Sequence, residues 1–214
     1  PLNLINNIFD KDAFKKDAFI ASKNFKTSTQ ALSKEVEEVI PFIRNRRHAI
    51  DVGARHGIFS CFLLKNNFKK ISCFELVPYF REAFLKNTNS NYIDFYNIGL
   101  FDSKTRIKFS GRAGKQIQSI GKDGLEVYSL DYFNFKDVDL IKIDVDGCER
   151  QILRGARNTI IKHRPVLHIE TEEIQLKFDP EGLNKLEDIY SWLLDELDYT
   201  SITLERNTIL HPKN

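Results

Sequence analysis

Apolar positions fall into two textures along the chain. Up to residue 47 they are sparse and helically spaced in a polar, lysine-rich background: Phe14, Ala18 and Ala21, then Leu32, Val36, Val39 and Ile40. That period predicts one or two N-terminal helices ending near Pro41, with Ser33 and Glu37 consistent with a helix start. From residue 48 short apolar runs alternate with helix-like stretches. Strands are expected at 49–52, 71–74, 92–98, 106–109, 125–128, 138–143, 166–169, 200–204 and 208–210. Helices are expected at 58–66, 78–86, 147–162 and 183–197, with Pro78 in a first turn and Asn207 in a turn. Strands alternating with helices imply a mostly parallel sheet covered on both faces, here with an antiparallel late strand. The expected division is a helical extension or cap over 1–47 and an α/β domain over 48–214.

In such sheets ligands sit outside the carboxyl ends of the strands, near the switch in strand order. This chain places polar groups there repeatedly: Gly53 to Gly57, Glu75, Asn97, Asp144 and Glu170. Asp51-Val52-Gly53-Ala54-Arg55-His56-Gly57 joins the first strand to a helix. Its glycines permit a sharp turn and close approach of a ligand, and helix N–H groups favour an anion there. The spacing is G-x-x-x-G, which specifies a dinucleotide pyrophosphate poorly and suits a carboxylate better. Asp51 could neutralise an amino group of the same ligand. Glu75 lies 18 residues after Gly57, close to the roughly 20-residue separation at which an acid grips ribose hydroxyls.

A third segment runs from Asp139 to Glu149. Lys142 and Asp144 alternate onto one face of its strand. A lysine in a central strand is costly to bury unless paired. Asp146 and Glu149 suit the start of the following helix. In the fourth, Val166, His168 and Glu170 share a face, with His168 read as a hydrogen-bonded core residue. No metal pattern stands out, and a divalent ion held by Asp144 and Glu170 is left as an alternative. The stretch 110–124 is either a lid or a surface hairpin, and its Arg112, Lys115 and Gln116 could meet a polar substrate.

Composition narrows the class. The chain has 214 residues, 42% hydrophobic and 29% charged, an ordinary balance for one domain. A net charge of +2 makes a dedicated nucleic-acid binder unlike this chain. Cys61, Cys73 and Cys148 lack disulfide or zinc spacing. No apolar run approaches the roughly 20 residues that span a bilayer, and residues 1–25 lack a signal-peptide layout. A reduced, cytoplasmic protein with no membrane span is the expectation; with no Met in the sequence, the chain is read as trimmed or missing its initiator.

Taken together, the residues resemble the FkbM-type methyltransferases. The resemblance spans about residues 48–171. It rests on Asp51-Val52-Gly53-Ala54-x-x-Gly57-x-x-Ser60, Glu75-x-x-Pro78, Leu140-Ile141-Lys142-Ile143-Asp144-Val145-Asp146-Gly147-x-Glu149, Leu153-x-Gly155-Ala156, Arg164-Pro165 and Glu170. Arg55-His56 and Asp146 are mild departures. The resemblance implies a Rossmann-like class I fold, S-adenosylmethionine as methyl donor, and O-methylation of a hydroxyl on a sugar, glycan or small metabolite. It places Asp51, Gly53 and Gly57 at the methionyl part of the cofactor, Glu75 at the ribose and Asn97 near adenine. Ala54, Ser60 and Asp144 complete the cofactor-binding set. Asp144 and Glu170 would face the reacting hydroxyl.

A hydroxyl is a poor nucleophile near neutral pH and needs a base or a metal. Asp144 is the first choice for base and Glu170 the second, with Lys142 keeping Asp144 charged. The chain lacks the Pro-Pro pair of nucleobase amino methylation and a cysteine after proline for cytosine C5 chemistry. Two other readings stand beside methyl transfer: a nicotinamide-dependent oxidoreductase, weakened by the missing G-x-G-x-x-G, and a non-catalytic adenosine-binding module.

Overall fold

The computed structural model describes residues 24–88, 90–110, 116–121, 124–145, 147–172 and 179–213. Helix α1 (Asn24–Val39) runs into a 3-10 turn at Ile40–Phe42 that starts with Pro41 in its first turn. There follow β1 (His48–Val52), α2 (Ile58–Lys65), β2 (Lys70–Phe74), α3 (Arg81–Asn87) and β3 (Ile93–Tyr96). An insertion carries β4 (Gly99–Leu100), β5 (Thr105–Ser110), β6 (Gln116–Ile120) and β7 (Leu125–Tyr128). The chain then returns through β8 (Val138–Ile143), α4 (Glu149–Gly155), α5 (Arg157–His163), β9 (Val166–Glu170), α6 (Ser191–Leu197), β10 (Tyr199–Thr203) and β11 (Asn207–Pro212).

The seven-stranded sheet has the order β10-β11-β9-β8-β1-β2-β3. Its neighbours from β9 to β3 are parallel, and β11 is antiparallel to both β9 and β10. Strand order reverses between β1 and β8, so the crevice at their carboxyl ends is the switch point. The insertion forms its own sheet, β4-β7-β5-β6. Among the described residues no helix is long and apolar enough to cross a membrane.

Alternation along the strands sorts residues onto two faces. One face carries Ile50, Val52, Phe74, Ile141, Ile143, Leu167 and Ile169, buried against α4, α5 and α6. The other begins as a core at the amino ends of the strands, where Ala49, Leu140 and Val166 lie in register under Val36 and Val39 of α1 and Leu63 of α2. One step further along, the same face turns polar: Asp51, Lys142 and His168 stand in register across β1, β8 and β9. A step beyond lie Asp144 and Glu170, with Asn207 of β11 opposite Glu170. The layer nearest the carboxyl ends is therefore the charged one.

Several elements differ from the sequence reading. The helix expected over 147–162 is two, α4 and α5, separated at Ala156. Tertiary contacts break it: Gly155 lies so close to Phe101 that a Cβ would stand 2.0 Å from its carbonyl oxygen. Asp131 also draws in the N–H groups of Asn158 and Thr159, at 2.9 and 2.8 Å. The helix expected from 183 begins as a 3-10 turn, Leu186–Ile189, before α6. Helix 78–86 likewise starts as a 3-10 turn, Pro78–Phe80. Strand β6 falls within a stretch read as a loop or hairpin. Asn207 sits inside β11, not in the turn. Phe14, Ala18, Ala21, Arg112, Lys115 and Asp146 lie outside the described residues.

Candidate active site

Lys142 organises the charged layer. It is 2% exposed and lies beneath Phe59 of α2, whose ring centroid is 5.6 Å from Nζ. An ammonium there needs several partners. It has Asp51 Oδ1 at 3.3 Å, Asp144 Oδ2 at 3.2 Å, and the Val52 and Gly53 carbonyls at 3.4 and 3.2 Å. Burial alone would drive the proton off Lys142; Asp144 and Asp51 outweigh it and hold the ammonium above its ordinary range.

Asp51 and Ser60 face inward. The Ser60 hydroxyl donates to Asp51 Oδ2 at 2.6 Å, and both side chains are fully buried between sheet and α2. Asp51 is thereby engaged with Lys142, not turned toward the crevice. Asp144 differs, because 38% of its side chain is exposed. Burial works against its charge, but Lys142 and a hydrogen bond from the Glu170 carboxyl prevail and hold Asp144 below the ordinary carboxylate range. Glu170 is 5% exposed and paired with Arg206 at 3.1 Å. Arg206 also reaches Glu172.

The loop after β1 depends on its glycines. Gly53 has φ +76°, and a Cβ there would stand 1.9 Å from the Asp144 carbonyl oxygen. Only glycine permits this approach of β1 to β8, which Asp144 N–H completes by donating to Val52 O at 3.2 Å. Gly57, at φ +78°, leaves no room for a Cβ beside Thr88. The N–H groups of Gly53 and Ala54 both donate to Phe74 O at 3.0 Å, that of Gly57 donates to Ala54 O, and that of Arg55 donates to Glu75 Oε2. These four donors are engaged within the loop and with β2 and Glu75, which leaves the first turn of α2 as a place for an anion. Ala54 is buried.

Glu75 is fixed at both oxygens, by Arg55 N–H at 3.0 Å and Val77 N–H at 2.7 Å. A carboxylate has about four acceptor sites, so two remain for a diol. Burial raises its pKa against those hydrogen bonds. Asn97 donates from its amide to the Glu75 carbonyl at 2.7 Å, tying the ends of β2 and β3 together. A cavity of about 550 Å³ between α3 and β3, lined in part by Arg81, Phe84, Thr88 and Tyr96, meets the site at Asn97 and contains neither Asp144 nor Glu170. This arrangement fits an adenosine ligand: a fixed diol acceptor, a glycine turn and a charged layer at one crevice.

His168 is 1% exposed, and neither ring nitrogen has a hydrogen-bond partner among the described residues. The expected hydrogen-bonded core histidine is therefore corrected to a buried imidazole with no hydrogen bond among the described residues. Burial, helped by Lys142, pushes its pKa down to about 4. Glu149 caps the loop before α4, accepting from the N–H groups of Val145 at 3.1 Å and Gly147 at 3.0 Å. Its complete burial pushes its pKa up to about 7. Among the described residues no group of three or more His, Cys, Asp or Glu is arranged to hold a metal ion.

The sequence reading missed three residues here: Glu35, Arg206 and Asn207. Burial raises the pKa of Glu35 of α1, and the charge of Asp144 raises it further, against Lys142, Arg206 and Asn207. Asn207 had a signal: counting back by two from the apolar Ile209 places it on the same face. Arg206, in the turn between β10 and β11, had none. Glu35 flanks the buried pair Val36 and Val39, but nothing in the local sequence tells which strand ends α1 covers.

A profile described as "Methyltransferase FkbM domain" matches residues 51–201. No curated protein matches the chain. Among solved structures, a methyltransferase FkbM from Methylobacillus flagellatus KT superposes with a TM-score of 0.56 at 17% identity, covering 98% of this chain and 60% of that one. This chain thus spans less than two thirds of that protein's length. The SAH-bound methyltransferase PaMTH1 of Podospora anserina gives a TM-score of 0.56 at 10% identity, covering 100% of this chain and 89% of that one. At these identities the superpositions establish the Rossmann-like fold.

Proposed function

The chain belongs to the FkbM family of methyltransferases, and we propose that it transfers the methyl group of S-adenosylmethionine to a hydroxyl oxygen of a sugar, glycan or small metabolite. The observation that carries this reading is Asp144, an ionised and partly exposed carboxylate held by a buried lysine at the switch point of the sheet. Bound S-adenosylmethionine supplies an electrophilic methyl whose sulfur leaves as a neutral thioether, so no acid is required at the leaving group. The protein's part is to hold the cofactor, align the acceptor and take a proton.

Glu75 would hold the ribose hydroxyls, and Gly53 and Gly57 would shape the backbone around the methionyl part, with Asn97 bracing Glu75. Asp51 and Ser60 act one step back, by fixing Lys142 from beneath. Asp144 accepts the acceptor's hydroxyl proton, because Lys142 keeps it ionised and its exposed oxygens can reach a ligand. Glu170, buried and tied to Arg206, supports Asp144. Alignment of the hydroxyl about 3 Å from the methyl carbon supplies much of the rate. Helix α1, seated on the sheet by Val36 and Val39, would cap the acceptor side.

The test is Asp144→Asn, followed by transfer of labelled methyl to a panel of hydroxylated acceptors and by calorimetric titration with S-adenosylmethionine. Turnover is expected to fall about 100-fold or more, the usual range for loss of a general base, while cofactor affinity changes by less than about threefold. Unchanged turnover removes Asp144 from the mechanism.

A further inference from the structure

A side chain is aimed only as well as the backbone beneath it is held. Asp144 is the first residue after β8, where the chain leaves the sheet for α4. Lys142 fixes its carboxylate and Val52 O fixes its N–H, at 3.2 Å each. The peptide plane that follows, from the Asp144 carbonyl to the Val145 N–H, is gripped on both sides. Its carbonyl packs against the Gly53 backbone, so closely that a Cβ on Gly53 would stand 1.9 Å from the oxygen. Its N–H donates to Glu149 Oε1 at 3.1 Å. The carbonyl and N–H of a trans peptide point in opposite directions, so these two contacts resist rotation of the plane.

Glu149 is the part of this grip that the start of α4 does not by itself explain. An acid in a first turn gains from the helix dipole while fully solvated. Glu149 is instead 1% exposed, and a buried carboxylate needs hydrogen bonds to stay charged. It takes them from its own loop: the Val145 N–H, and the Gly147 N–H at 3.0 Å from Oε2. Cys148, at the N-cap, contributes no side-chain bond. The carboxylate thus reaches backward, past the helix start, to the residue after Asp144. Gly53 meets the same peptide from the other side, so one peptide plane joins the glycine turn to the strand end that carries Asp144.

We propose that Glu149 is a positioning residue for methyl transfer: acting through the Asp144–Val145 peptide, it sets the direction in which the Asp144 carboxylate faces the crevice. Without it the plane is free to turn about the Gly53 contact, and the carboxylate swings away from Lys142 and from an acceptor hydroxyl. A displacement of about 1 Å at a reacting group costs up to about 100-fold in rate. This rests on the methyltransferase reading above, and it concerns the aim of Asp144 rather than cofactor affinity.

The experiment compares the full native chain with Glu149→Gln and Glu149→Asp at pH 8, above the Glu149 pKa of about 7. Gln offers one acceptor oxygen to two N–H donors, and Asp keeps the charge on a stem too short to reach Val145. In crystal structures of the variants the Asp144–Lys142 pair is expected to open from 3.2 Å to beyond about 4 Å, the limit of an ion pair, while Glu170–Arg206 stays at 3.1 Å. With an acceptor that takes labelled methyl, Glu149→Gln should lower kcat about tenfold or more, with KM and S-adenosylmethionine affinity within about twofold of native. In an Asp144→Asn background the same change should cost less than about twofold, since no aimed carboxylate remains. An unmoved Asp144 carboxylate in Glu149→Gln, an equal loss of kcat in both backgrounds, or native structure and turnover in Glu149→Asp overturns the proposal; the last would leave Glu149 only a charge at the helix start. If Glu149→Gln fails to fold, Glu149→Asp carries the structural comparison, which needs neither cofactor nor acceptor. Those outcomes leave the methyltransferase reading intact, whereas failure of the native protein to bind S-adenosylmethionine overturns both.

Discussion

Replacing Lys142 with Met tests the central claim that the charged layer is held by one buried cation. Met fills most of the space of the lysine stem and removes the ammonium. Asp51 then keeps the Ser60 hydrogen bond at 2.6 Å but loses its counter-ion 3.3 Å away, with no access to solvent. Removing one partner of a buried pair costs about 3–5 kcal/mol, because the remaining charge stays desolvated. Asp144 adds less, since its side chain is 38% exposed and solvent screens the lost charge. For a chain of 214 residues this corresponds to a fall in Tm of about 10 °C. Urea unfolding of the native protein, K142M, D51N and the double variant gives the coupling directly. The double variant should regain at least about 2 kcal/mol over K142M, since the neutral amide that D51N introduces leaves no charge stranded. A K142M loss below about 1 kcal/mol, or a double variant no more stable than K142M, refutes the reasoning.

Three further outcomes follow from the same geometry. Gly53→Ala places a Cβ 1.9 Å from the Asp144 carbonyl at φ +76°; it should cost at least about 2 kcal/mol in urea unfolding and weaken S-adenosylmethionine binding about tenfold by calorimetry, by parting β1 from β8. Glu149, whose pKa rises from 4.5 to about 7 on folding, favours the native state fully below pH 4.5 and loses that advantage as pH climbs to 7, roughly 3 kcal/mol in all. Glu149→Gln should therefore remove that contribution and leave a stability that rises with pH across the window. His168 acts in the opposite sense: its pKa falls from 6.5 to about 4, so stability is complete above pH 6.5 and declines by roughly 3 kcal/mol as pH drops to 4. The two slopes nearly cancel in the native protein, and His168→Phe should expose a stability that declines from pH 4.5 to 7.

Much of the sheet is legible in the sequence because its strands bury both faces and read as apolar runs. β8 and β9 need only the run itself; β7 is bounded by its polar flanks. The helices are harder. An apolar period continues from α4 into α5, so the pattern alone gives one helix. The break at Ala156 comes from the Phe101 carbonyl against Gly155 and from Asp131 reaching the next turn, contacts with residues 20 and more positions away. Strand β6 carries Gln116, Gln118 and Ser119 and has too little apolar alternation to announce itself. It exists as a strand because β5 supplies a partner.

The site is legible along each strand but not across the sheet. Alternation puts Lys142 with Asp144, and His168 with Glu170, on common faces. It cannot say that Asp51, Lys142 and His168 align in one row, because register between parallel strands is set by packing distant in sequence. That row changes the roles. Asp51, read from its motif as a cofactor contact, lies beneath the crevice and anchors Lys142. Lys142 in turn gives Asp144 its charge, and Asp144 stands one strand step nearer the opening. Charge is thus passed upward through three residues, from a layer closed to solvent to one open to a ligand. The apolar row of Ala49, Leu140 and Val166 beneath it excludes water from below. A lysine with this much carboxylate around it is too expensive for stability alone, since apolar residues would fill the same volume at no desolvation cost. The row is best understood as the support that keeps one exposed carboxylate ionised where a ligand can meet it.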